Sequence, residues 1–271
     1  MTDGGFTMVR LPETALVQWG ISRDFALKEV KMNELLSQWP LLCSEARVPY
    51  ALFGGTALNK AYLDQPRFSE DADFFVYGRT LKDVDRLARN LSGFQVKGPK
   101  RIFRDLYRWT LAYDAPDSGG LRGEIQLDVN LHFKKPASVA IRLPLKSFLS
   151  DLGVLLIPPR LDVLPKVTLL GMKLLALQNR EEGKDFYDVF RLLSADSFSR
   201  TAVLGEARKY SDSLFDFYRS DPQIIEHATD SVKDADVARL AQTDAYILKA
   251  QRPDWGALKK DVVRLLKTKI S

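Results

Sequence analysis

Residues 51–78 read ALFGGTALNKAYLDQPRFSEDADFFVYG. One apolar run ends in two glycines, and a second opens with Asp71 and Asp73, a single residue apart. YALFGG reads as a short strand stopped by glycine. ALNKAYL reads as a helix with Thr56 at its N-cap and Pro66 beyond its end, and DADFFVY as a second strand. Glycines that lead into a helix expose backbone N–H groups at the positive end of its dipole, so Gly54, Gly55 and Thr56 suit a phosphate, although a bare glycine turn has the same pattern. On a strand, residues i and i+2 share a face, which sets the Asp71 and Asp73 carboxylates side by side. Such crowding is costly without a cation between them, and hard oxygen ligands suit Mg²⁺ carried with nucleotide phosphates. For an isolated Asp-x-Asp, an exposed strand end would be the better account.

A third carboxylate changes the balance. Asp128 lies in EIQLDVN, an otherwise apolar strand with Asn130 on the same face, and burying a lone Asp there is expensive unless it meets a metal or hydrogen-bond donors. Three strand-borne carboxylates can hold two Mg²⁺ ions, one activating an attacking hydroxyl and the other binding a triphosphate and its leaving pyrophosphate.

Around this core, residues from about Phe25 to Arg47 show helical recurrence of Leu27, Val30, Leu35, Leu36 and Leu41. TLKDVDRLARNLSG predicts a charged helix. The alternating run KRIFRDLYRWTLAY, the turn-rich DAPDSGG and the run LRGEIQLDVNLHF predict an antiparallel hairpin, and VAIRLPL a further strand. Beyond the proline-marked LLIPPRLDVLP the period becomes helical, in KVTLLGMKLLALQNR and then KDFYDVFRLL, with Pro222 and Pro253 as later breaks. The chain therefore divides near residue 158: an α/β (α+β) part over residues 1–157, with a mixed or antiparallel sheet flanked by helices, and an all-helical part over 158–271. No internal repeat is visible.

The bulk numbers exclude several classes. The chain has 271 residues, 45% hydrophobic and 28% charged, with a net charge of +5 and a pI near 9.1, which is compatible with a nucleic-acid or nucleotide partner. No window approaches the length of an apolar membrane span, and the first residues lack the pattern of a secretory signal, so the cytoplasm is the expected location. Two His and one Cys all but exclude a zinc site; Cys43, beside Leu41 and Leu42, reads as a buried, reduced thiol.

A Gly-Gly-Thr turn, a helix, an aspartate pair on a strand and a third aspartate on a later strand resemble the DNA polymerase β-type nucleotidyltransferase superfamily. The closer resemblance is to the AbiEii/AbiGii toxin family, which includes the MenT toxins. It rests on Gly54, Gly55, Thr56, Ala57, Leu58, Lys60, Tyr62, Arg67, Ser69, Asp71 and Asp73, on Lys173 in a Leu-rich helix, and on KDFYD from Lys184 to Asp188. It spans roughly residues 30 to 195. The resemblance implies nucleotidyl transfer from an NTP with Mg²⁺ (or Mn²⁺) held by Asp71 and Asp73, and Asp128 as third ligand or as base on the acceptor hydroxyl. Lys173 would neutralise triphosphate charge. Asp188 would be the late catalytic aspartate, with Asp185 competing for that role or serving as a helix N-cap. Ser69 would belong to the active site, or be a turn serine. Lys60 falls in the nucleotide-binding motif, and Arg67 would contact phosphate. The superfamily usually has Gly-Ser where this chain has Gly-Gly-Thr, and a threonine hydroxyl can still reach a phosphate.

The same resemblance implies an RNA acceptor, the tRNA 3′ end, and a cognate antitoxin as partner. In the chain itself, Lys97, Lys100, Arg101, Arg104 and Arg108 alternate with aromatics, a pattern suited to phosphate contact and base stacking or to a solvated hairpin face. KKDVVRLLKTKI reads as a packing helix with solvated lysines, and His132 as structural. Two other functions remain open: modification of a small molecule or protein, and a non-catalytic nucleotide- or RNA-binding module. The carboxylate trio and Lys173 argue against the module, since a binder has no need of paired acids.

Overall fold

In the computed structural model, residues 13–115, 121–152, 159–214 and 223–270 are described. The expected turn at 116–120, Pro158, Pro222 and residues 1–12 lie outside them. Among the described residues, seven strands make one sheet in the order β3-β4-β5-β2-β1-β7-β6. They are β1 (Tyr50–Phe53), β2 (Asp71–Val76), β3 (Gln95–Phe103), β4 (Leu106–Ala115), β5 (Leu121–Asn130), β6 (Ile141–Pro144) and β7 (Arg160–Val163). The β2–β5 and β1–β7 pairs are parallel and the others antiparallel, so the sheet is mixed, as expected.

Helices α1 (Glu13–Trp19), α2 (Arg23–Glu45), α3 (Gly54–Tyr62) and α4 (Leu81–Arg89) accompany the sheet. The Ser22 hydroxyl caps α2 by accepting from the Phe25 amide at 3.3 Å, and one face of the helix buries Leu35, Leu36 and Trp39 completely. A capping box starts α4: the Thr80 hydroxyl accepts from the Asp83 amide, and the Asp83 carboxylate from the Thr80 amide.

Two features differ from the sequence reading. KRIFRDLYRWTLAY is two strands, β3 and β4, joined by a tight turn at Arg104-Asp105 in which Phe103 pairs with Leu106. Arg104 sits at φ 34 without the Asn-Gly or Asp-Gly signature of such turns, so the alternation ran through it unbroken. The four-residue β7 was hidden in the proline-marked stretch. It brings the sheet past residue 158, and the helices that follow begin at Lys166.

The later helices are α5 (Lys166–Asn179), α6 (Gly183–Ala195), α7 (Arg200–Leu214), α8 (Ile224–Asp234), α9 (Val237–Ala241) and α10 (Trp255–Lys269). The last of these buries Trp255, Leu258, Val262, Leu265 and Leu266, which is the packing role expected of KKDVVRLLKTKI. One hydrophobic cluster runs from Trp39 and Phe74 through Leu175 and Phe186 to Val232 and Leu265, so sheet and helices share a core. Cys43 is free and buried, and burial pushes its thiol up to about 12. Among the described residues no helix is long and apolar enough to cross a membrane.

Helix α5, which carries Lys173, is pressed against α7 at Gly171. A Cβ there would lie 2.9 Å from the Ala207 amide nitrogen and 3.1 Å from the Val203 carbonyl oxygen. Gly171→Leu is therefore expected to destabilise the fold by about 1–3 kcal/mol through overpacking. Gly205→Ala, on α7 where a Cβ would meet nothing within 4 Å, should stabilise it by roughly 0.5–1 kcal/mol. Thermal melts of the two variants check the contrast, and equal shifts would contradict it.

Candidate active site

The parallel β2–β5 register sets Asp73 directly beside Asp128, and the antiparallel β4–β5 register sets Arg108 on the other side of Asp128. Asp71, two residues before Asp73, shares its face. Ser69 donates its hydroxyl to Asp71 Oδ1 at 3.0 Å, so Ser69 does sit at the acidic pair. Arg108 forks Asp128, Nε to Oδ1 at 2.7 Å and a terminal nitrogen to Oδ2 at 2.6 Å.

The glycine pair is explained by close approach. Gly54 has φ +73, and a Cβ on it would fall 2.2 Å from Asp73 Oδ2. A Cβ on Gly55 would fall 2.6 Å from an Arg67 guanidinium nitrogen. Helix α3 thus starts at Gly54, with Phe53 in the cap position. Thr56 is not the N-cap: it lies in the first turn, fully buried, and its hydroxyl donates to the Asp71 carbonyl at 2.5 Å. Its side chain braces β2 instead of facing the cleft.

The facing wall comes from α5 and α6. Lys173 donates to Asp185 Oδ1 at 2.6 Å and lies 2.7 Å from Asp188 Oδ2. Asp188 also takes a fork from Arg67 at 2.7 and 2.6 Å and a hydrogen bond from the Asn59 amide at 3.0 Å. Burial alone would raise the Asp188 carboxyl, but Arg67 and Lys173 outweigh it and hold the group well below the usual carboxylate range. Asp185 is likewise lowered against its burial, by Lys173 and Arg180. Arg180 forks it, at 2.7 Å to Oδ2 and 3.3 Å to Oδ1. Asp185 is not an N-cap either, since Glu182 holds that position on α6.

These groups enclose a cleft of about 300 Å³ whose lining includes Gly54, Gly55, Arg67, Ser69, Asp71, Asp73, Arg108, Asp128, Lys173 and Asp185. Two motif residues, Asp188 and Lys60, stand apart from it, and a third, Arg67, lines it with its guanidinium already engaged. Asp188 lies behind Lys173 and Arg67, fully buried. Arg67 reaches the cleft wall, where its guanidinium is held by Asp188 and by the Phe68 carbonyl at 2.7 Å. Lys60 turns inward to pair with Glu29 and to donate to Asn33 Oδ1 at 3.2 Å. Burial lowers its ammonium despite Glu29.

Arg180, Lys184, Glu182, Ile102 and Leu106 also line the cleft and were not singled out for it. The alternation of KRIFRDLYRW could have placed Arg108 on the Asp128 face; nothing local marked Arg180. His132 lies 3.6 Å from Asp105 and edge-on to Phe133, away from the cleft lining.

The donor set fits a hard divalent cation such as Mg²⁺ or Mn²⁺. Burial, then the charges of Asp71 and Asp128, push the Asp73 carboxyl well above the usual range, against the pull of Lys173 and Arg180. Asp128 is raised too, by burial first and by Asp71, even with Arg108 beside it. Crowded carboxylates of this kind are relieved by a cation. Among the described residues no three His, Cys, Asp or Glu side chains already enclose a metal position, and both Asp128 oxygens are turned onto Arg108.

Two variants test this geometry. Asp188→Asn leaves Arg67 and Lys173 buried without their shared anion, and is expected to cost about 3–5 kcal/mol in urea unfolding. Because the folded carboxyl is depressed, its contribution is present above the unfolded pKa of about 4 and is lost as pH falls below it. The stability gap between wild type and Asp188→Asn should therefore narrow below about pH 4, and a constant gap would contradict the pairing. Gly54→Ala should cost about 1–2 kcal/mol for the left-handed backbone alone and displace Asp73, which a loss of divalent-cation binding would reveal.

The fold is shared with solved structures. MenT4, a nucleotidyltransferase toxin from Mycobacterium tuberculosis H37Rv, superposes with a TM-score of 0.63 at 20% identity, over 96% of this chain and 90% of that one. JHP933 from Helicobacter pylori superposes with a TM-score of 0.57 at 17% identity, over 91% and 92%. No curated protein matches the sequence closely. The profile of the nucleotidyl transferase AbiEii toxins of type IV toxin–antitoxin systems matches residues 34–269. With that match over most of its length, and a carboxylate cleft where the motifs of the family fall, the chain belongs to the AbiEii nucleotidyltransferase toxin family.

Proposed function

We propose that this nucleotidyltransferase transfers a nucleoside monophosphate from an NTP to an RNA, with the 3′ end of a tRNA as acceptor, and thereby arrests translation until a cognate antitoxin intervenes in the cytoplasm. The β3–β4 hairpin is the observation that carries the acceptor. Ile102, Leu106 and Arg108 from it line the cleft, while Lys97, Lys100, Arg101 and Arg104 on the same hairpin are exposed. A polyanion lying on the hairpin is led to the carboxylates.

Asp71 and Asp73 would hold the divalent cation, joined by Asp128 once Arg108 releases it. When bound, the cation neutralises charge on the triphosphate and makes the acceptor hydroxyl more acidic. Asp128, its carboxyl raised by burial, is suited to take the hydroxyl proton as the acceptor oxygen attacks the α-phosphorus. The bond from the α-phosphorus to the α,β-bridging oxygen breaks, and pyrophosphate leaves. Residues 1–157 contribute the carboxylates and the glycine turn. Residues 158–271 contribute the positive wall of Lys173 and Arg180, kept in place by Asp185 and Asp188.

Incubation with total RNA, Mg²⁺ and each labelled NTP tests the reading, alongside an Asp71→Ala/Asp73→Ala variant. Label is expected in tRNA, reduced by roughly 100-fold or more in the variant, the scale for removing a key electrostatic group, and absent with EDTA. Label confined to protein or to small molecules would overturn the RNA acceptor.

A further inference from the structure

The charge pairs in the cleft leave one base over. Among the described residues, five basic side chains line it: Arg67, Arg108, Lys173, Arg180 and Lys184. Four are held by carboxylates. Arg67 is on Asp188, Arg108 on Asp128, Lys173 on Asp185 and Asp188, and Arg180 on Asp185 and Glu182. Lys184 is half-buried and has no such partner among the described residues. Its ammonium stands 5.0 Å from the centroid of the Tyr246 ring, and a contact of that kind at a solvent-accessible site is weak enough to yield to a phosphate.

The acids show the opposite imbalance. Asp71 has the Ser69 hydroxyl and no basic partner within ion-pair distance, and Asp73 has none either among the described residues. A cleft with two uncompensated acids and one uncompensated lysine matches a ligand that carries a cation and a polyanionic tail. We propose that Lys184 binds the terminal phosphates of the NTP and so sets the preference for a triphosphate over a mono- or diphosphate. The assignment rests on the reading of the cleft as an NTP site. Lys173, with its side chain 9% exposed between two carboxylates, supplies the field of the wall, and Lys184 makes the direct contact. The Tyr246 ring holds the Lys184 ammonium beside the cleft, and a short swing of that ammonium exchanges the ring for the phosphate.

Equilibrium binding of an NTP, the matching NMP and inorganic pyrophosphate, each with Mg²⁺, tests this with wild type, Lys184→Ala and Lys184→Arg. Lys184→Ala is expected to weaken NTP and pyrophosphate binding by roughly tenfold or more, the scale of one charge-assisted hydrogen bond. NMP binding should be unchanged, KM should rise more than kcat falls, and Lys184→Arg should restore most of the loss. Unchanged NTP affinity in Lys184→Ala, or an equal loss of NMP, would overturn the assignment while leaving the NTP site intact. A wild type that binds no NTP would sink the underlying reading as well, and the two failures differ in the wild-type control.

Discussion

The site depends on one buried carboxylate. Asp188 has no exposed surface and gathers Arg67 from the segment before β2, Asn59 from α3 and Lys173 from α5. Removing one partner from such a cluster leaves a charge in low dielectric, which is far costlier than the net worth of the pair. The helical half is therefore tied to the sheet at the edge where the acids emerge, and the cleft is the gap left between them. The absence of a side chain at Gly55 follows from this, since the Arg67 guanidinium occupies the space a Cβ would need.

A second buried pair steadies the other side of α3. Lys60 meets Glu29 of α2, and Glu29 Oε1 also accepts from Asn33 and from Ser147, at 2.9 Å each. The helix that opens with the glycine turn is thus pinned to α2 by Lys60 and to α6 through Asn59. Lys60 and Arg67, both part of the motif, spend their charge on contacts inside the protein, while Asp71, Asp73 and the glycine turn line the cleft.

Much of this was legible in the chain. Period-two and period-3.6 patterns placed β2, β5, α2, α5 and α6 correctly, because those elements bury one face or a full core. The i, i+2 rule put Asp71 and Asp73 on one face, and a polar residue in an apolar strand singled out Asp128. What stayed hidden was pairing. Spacing tells which face a side chain takes, but which cation meets which acid depends on neighbours brought in by distant segments, as with Arg108 on Asp128 and Arg67 on Asp188. Lys60 and Thr56 looked cleft-facing for the same reason. The Arg104-Asp105 turn and the four-residue β7 escaped because neither has a glycine or an alternation long enough to mark it.

The parallel pairing of β2 with β5 also has a consequence in time. Asp73 and Asp128 are neighbours across the sheet, yet α4, β3 and β4 lie between them in the chain. Such non-local contacts form late, after the loop between them has closed. Synthesis runs from the N-terminus, so the acids come together only when β5 has joined the sheet, and the wall behind them only when α6 has been made and packed. A nascent chain short of α6 lacks Lys184 and Asp185 from the cleft lining. A chain built this way completes its cleft only once the segment through Ala195, the end of α6, has been made.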